Sequence, residues 1–145
     1  MTHQDAGHYA LKHSPSLVPD ARIARAVKGK MIDGKMTCAA AHKIAAELKV
    51  SPAEVGVAMD LMEIRISKCQ LGLFGYEPQN RIVQPAETVS PFLRQAIETS
   101  LVEKRLPCRL AWAIAERFGL KKTDLANACE ALKIKISNCQ IGSFR

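Results

Sequence analysis

Lysine, threonine and asparagine gather in one short stretch, Lys121-Lys122-Thr123-Asp124-Leu125-Ala126-Asn127. A lysine ammonium bonds phosphate or the acceptor edge of guanine, and an asparagine amide can pair in two places with adenine. A second basic set lies in two alternating apolar–basic segments. Arg65 and Lys68 flank Ile66 in one, and Lys133 and Lys135 flank Ile134 in the other. Cations on such short strands would meet phosphates, which gives affinity and register but little sequence choice.

Other residue types offer less. The chain has no phosphate-cradling glycine loop, no nucleophile elbow and no HExxH, and its carboxylates are scattered, so no enzyme is expected. Cys38 with Cys69, and Cys108 with Cys139, form equivalent pairs. Two thiols are too few for a closed zinc site, and they read as core packing. His3, His8 and His13 come at five-residue steps, which do not share one helical face. No metal and no cofactor are expected.

The elements that must position the first set are two helices and a turn. Ile114, Ala115 and Phe118 fall at helical spacing, Gly119 can take the left-handed conformation of a C-terminal cap, and a second helix from near Lys121 buries Leu125 and Ala128. The chain holds this pattern twice. Shifted by 70 residues, Cys38–Gly75 lies on Cys108–Arg145 without a gap, with Cys38/Cys108, Ala41/Ala111, Ile44/Ile114, Ala45/Ala115 and Ala58/Ala128 identical. Both copies close on Ile-x-Ile-Ser-x-Cys-Gln-[Leu/Ile]-Gly-x-Phe. Such a register marks an internal duplication.

A small residue early in the first helix, glycine at the turn and apolar residues on both sides resemble the helix-turn-helix of DNA-binding proteins. The resemblance covers most of both copies. It is closer in the second, since Lys49 stands in the first where Gly119 stands in the second. It implies a mainly α fold of two tandem three-helix, winged-helix-like repeats, each ending in a short strand or small hairpin.

The rest of the chain fits around these copies. Residues 1–19 read as a flexible tail, repeat 1 spans 20–75, a proline-containing linker 76–89, and repeat 2 spans 90–145. Asp20, Thr37, and the Ser51-Pro52 and Ser90-Pro91 pairs are helix starts. Past Met62 the period changes from 3.6 to 2 at Ile64-Arg65-Ile66, as in a short strand.

The expected function is that of a DNA-binding transcriptional regulator, with double-stranded DNA as partner and repeat 2 the better groove reader. The residues expected to bind DNA are Lys121, Lys122, Thr123, Asn127, Lys133, Lys135, Arg65 and Lys68. In repeat 1 the corresponding helix surface holds Ser51, Pro52, Ala53, Gly56, Val57 and Asp60, and Asp60 with Glu54 and Glu63 would repel phosphate. The alternative is a protein-docking module with an exposed apolar patch around Ala53, Gly56 and Val57, through which repeat 1 would hold a protein partner. The formal charge of +7 favours a polyanionic partner in either half. No apolar run approaches the roughly 18 residues of a membrane span. No secretion signal is visible and five cysteines suit a reducing compartment, so a cytoplasmic protein is expected, either a monomer with pseudo-dimeric repeats or a homodimer.

Overall fold

In the computed structural model, which describes residues 7–145, side-chain capping sets the starts of the first four α-helices. The first six residues, with His3 and the head of the expected tail, lie outside the described residues. Asp20 accepts from the backbone N–H groups of Arg22 and Ile23 and opens α1 (Ala21–Lys30). Thr37 accepts from the N–H of Ala40 and opens α2 (Cys38–Leu48). Ser51 and Glu54 form a reciprocal capping box at the start of α3 (Pro52–Leu61), with Pro52 at a position whose missing N–H costs nothing. Ser90 accepts from the N–H of Leu93 and, with Pro91 at the first position, opens α4 (Pro91–Thr99). The remaining helices are α5 (Cys108–Arg117) and α6 (Lys122–Ala131).

The chain divides into two compact units. One runs to Cys69 and takes in Gln140–Phe144, and the other is Gln70–Cys139 with Arg145. In the first unit, Ile23 and Val27 of α1 are buried with Ala41, Ile44 and Ala45 of α2 and with Val55, Ala58 and Met59 of α3. Alanine at 41 and 45 lets the helices approach closely. In the second unit, Leu93 and Ile97 of α4, Ala111, Ile114 and Ala115 of α5, and Leu125, Ala128 and Cys129 of α6 fill the equivalent places. The turn between α2 and α3 passes through Lys49 at φ 56°, and that between α5 and α6 through Gly119 at φ 66°. Lys49 therefore carries the left-handed strain that Gly119 avoids.

The strands differ from the expected wing. After α3 the chain enters β2 (Arg65–Ser67), and after α6 it enters β4 (Ile136–Ser137). Neither forms a wing hairpin with the residues just after it. Instead β2 pairs in parallel with β1 (Lys35–Thr37), just ahead of α2, and β4 pairs in parallel with β3 (Leu106–Pro107), just ahead of α5. Parallel strands need a crossover connection, and here the crossover is a pair of helices, α2 and α3 in one unit and α5 and α6 in the other. The tight hairpin turns lie earlier, between the first helix of each unit and its first strand. Ile32 and Lys35 exchange backbone hydrogen bonds of 2.8 and 3.0 Å across Asp33 (φ 51°) and Gly34 (φ 73°). Val102 and Arg105 do so at 2.7 and 3.0 Å across Glu103 (φ 51°) and Lys104 (φ 66°). Two consecutive positive φ values make each a type I′ turn.

Parts of the expected tail and linker are also ordered. Tyr9 is 2% exposed and starts a 3-10 turn, Tyr9–Lys12, that packs on α3. Val83 of the linker is buried. Among the described residues no helix is long and apolar enough to cross a membrane.

Gly56 shows how tightly the first unit is closed. A Cβ added there would lie 1.6 Å from the carbonyl oxygen of Ile141, a backbone atom that cannot swing away, whereas a Cβ on Gly29 in α1 meets nothing within 4 Å. Gly56→Ala should therefore lower unfolding free energy by about 2 kcal/mol or more. Gly29→Ala should leave it unchanged or raise it by up to about 1 kcal/mol through helix propensity. Denaturant titration of the two variants checks the pair, and equal effects would contradict this packing.

Candidate nucleic-acid interface

The expected site residues fall into separate groups. Lys121 is the exposed N-cap residue of α6, and its side chain makes no capping bond. Beside it, the Lys122 ammonium stands 4.4 Å from the centroid of the Trp112 ring, a cation–π contact that fixes its position. Thr123 is half-buried. Lys133 and Lys135 are exposed beyond the other end of α6. Ten residues of helix put about 15 Å between these two groups.

Asn127 is already engaged. Its Oδ1 accepts from the N–H of Gln84 at 3.0 Å, and its carbonyl accepts from the N–H of Ala86 at 3.0 Å. One turn on, Glu130 pairs with Arg81. The outer face of α6 is thus bound along its C-terminal half by residues 81–86. In the first unit, segment 9–13 does the same to α3. Glu63 accepts from the N–H groups of Tyr9 and Ala10 at 2.9 and 2.8 Å. Asp60, 2% exposed, meets His13 Nε2 at 2.8 Å and Lys12 Nζ at 3.0 Å. Asp60 and Glu130 are 70 residues apart, as are Pro15 and Pro85 and the caps Asp20 and Ser90. The carboxylates expected to repel phosphate at 60 and 63 are therefore occupied by the chain itself. The apolar patch that a docking module would need is not open either. Gly56 is buried under Ile141, Val57 is half-buried, and only Ala53 is exposed.

Arg65 and Lys68 belong to a feature that sequence reasoning did not anticipate. Parallel pairing sets Lys35 directly opposite Arg65. Neighbouring strands lie about 4.8 Å apart, so two cations at one register stand side by side. In the second unit Arg105 and Lys135 each stand one residue ahead of the paired Leu106 and Ile136. Among the described residues no carboxylate forms an ion pair with any of these four cations. Lys68 (φ 47°) and Asn138 (φ 50°) come just after the two second strands in the left-handed conformation, both exposed. Lys35 and Arg105 carried a signal, each a cation 30 residues ahead of another in both copies, but only knowledge of the parallel register gives it meaning.

No family model, curated protein or solved structure matches the chain.

The thiols take no visible part in the interface. None of the five cysteines forms a disulfide, four of them are buried, and Cys139 is half-buried. Among the described residues no group of three or more histidines, cysteines or carboxylates is placed to hold a metal ion. Burial pushes the Cys129 thiol up from 9.0 to about 12. A thiol whose folded value is raised keeps its proton longer in the folded state. Its contribution to stability is complete below about pH 9 and is lost as pH rises toward 12. The stability gap between the wild-type chain and Cys129→Ala should thus narrow as denaturation is repeated from neutral pH to strongly alkaline pH. A gap that stays constant would contradict the burial of this thiol.

Proposed function

We propose that this chain is a DNA-binding protein of the helix-turn-helix type, acting as a transcriptional regulator, and that it grips double-stranded DNA chiefly through the phosphate backbone. The observation that carries the reading is the pairing of Lys35 opposite Arg65, with Arg105 and Lys135 each one residue ahead of the paired Leu106 and Ile136, and no carboxylate to neutralise these cations among the described residues. Like charges directly opposite destabilise a strand pair. Cations gathered at both ladders suit a partner that brings negative charge, and the phosphates of a duplex do so at regular spacing.

Three further features support the reading. The helical pair in each unit is joined by a tight turn with a left-handed residue, Lys49 or Gly119. Lys121, Lys122 and Thr123 stand at the start of α6, the part of a second helix that reaches base edges when it enters a major groove. The net charge is +7. The commitment of Asn127 to residues 84–86 removes one base-reading side chain and shifts the balance toward phosphate contact. Sequence choice then rests on Lys121, Lys122 and Thr123.

Lys35→Glu separates binding from folding. It replaces a repulsive pair with an attractive one, so it should raise stability by about 0.3 kcal/mol at this exposed site. The same change should weaken binding to random duplex DNA roughly tenfold at low salt and reduce the slope of log K against log salt by about 1. Fluorescence anisotropy across a salt series, with thermal denaturation in parallel, reads both. Absence of salt-sensitive binding by the wild-type chain would overturn the proposal.

A further inference from the structure

The second unit holds a cavity of about 430 Å³ lined by Val102, Glu103, Arg105, Ser137, Asn138 and Arg145. We infer that it is a seat for one phosphate group, and that on the proposed reading it is where the second unit holds a phosphodiester of the DNA backbone. Two arginines line it beside one acidic residue, Glu103. Neither Arg105 nor Arg145 forms an ion pair with a described residue. Guanidinium presents a planar fork of donors that matches phosphate oxygens two at a time, and it stays charged at any physiological pH. The Ser137 hydroxyl and the Asn138 amide add neutral donors beside them.

The backbone of two walls is set before any ligand arrives. The type I′ turn holds Arg105 through its two backbone hydrogen bonds with Val102. Ser137 is paired in register with Pro107, and the N–H of Leu106 donates to the carbonyl of Lys135 at 2.9 Å. The ladder therefore sets the spacing between the arginine turn and the Ser137-Asn138 corner. Preorganised donors lose little freedom when an anion binds. Lys135, one residue ahead of the paired Ile136, adds positive charge to the same ladder.

Comparison with the first unit shows what is particular here. The positions 70 residues earlier hold Ile32, Asp33, Lys35, Ser67, Lys68 and Gly75. Serine is retained, but lysine stands for Arg105 and glycine for Arg145. At the first unit's ladder edge a phosphate would thus meet Lys35 and Arg65, one guanidinium fork in place of two. The seat gives the second unit the stronger hold.

The test uses the full chain and two probes. Inorganic phosphate is titrated at low ionic strength while amide chemical shifts are monitored, and random duplex DNA is titrated by anisotropy. Phosphate should move the amides of Arg105, Ser137 and Asn138 along one saturable curve, and Arg105→Gln or Arg145→Gln should abolish the response. Each variant should also weaken DNA binding roughly fivefold and lower its salt slope by about 1. Arg105→Lys should keep the slope but lose part of the affinity, because charge remains while the fork is gone. Unmoved amides with phosphate present would overturn the seat, as would arginine variants that are folded by circular dichroism and bind DNA at full strength. In that second case the DNA-binding reading would stand without the seat. Phosphate binding without any DNA binding would uphold the seat and sink the reading on which the backbone role rests.

Discussion

Parallel pairing of two very short strands is the constraint on which each unit depends. A parallel ladder cannot close through a tight turn, so whatever joins its strands must cross over. In this chain the crossover is a pair of helices with a left-handed residue between them, Lys49 in one unit and Gly119 in the other. The ladder ties the start of the first of these helices to the exit of the second. It also decides which side chains face each other at its edge. Cations that are far apart in sequence become neighbours only because Met36 pairs with Ile66 and Leu106 with Ile136.

The same geometry explains why the charged positions are accessible while the outer helix faces are not. Backbone N–H groups of residues 9 and 10, and of 84 and 86, exchange water for partners within the fold. Glu63 and Asn127 receive them. Lys12 and His13 in one case, and Arg81 in the other, neutralise the acid at the equivalent helix position. Each second helix is therefore held by a stretch of its own chain. Cations without a carboxylate partner lie at the ladder edge and at the start of α6.

Much of this was legible in the sequence. Capping residues are local and chemically specific, so Asp20, Thr37, Ser51-Pro52 and Ser90-Pro91 marked helix starts that the structure retains. The change of period at Ile64-Arg65-Ile66 marked β2. What escaped were the non-local partners. Lys35–Thr37 is three residues long and runs straight into a helix, too short for alternation to register. The use of Asn127 was hidden because its partners are backbone N–H groups, which no residue type announces. The 70-residue register did hold a clue, since Pro15 and Pro85 keep it and place both covering segments at matching distances ahead of their helices.

Cations at the ladder edges and the start of α6, and not the outer helix faces, are proposed to meet the nucleic acid. Amide chemical-shift mapping during titration with duplex DNA at low salt tests this most directly. The largest changes are predicted at Lys35, Arg65 and Lys68, at Arg105 and Lys135–Asn138, and at Lys121–Thr123. The amides of Tyr9, Ala10, Gln84 and Ala86 should stay where they are, because their hydrogen bonds persist. Large changes at those four amides, with little at the ladder edges, would mean that the covering segments leave and the helix faces bind, and would contradict the proposal.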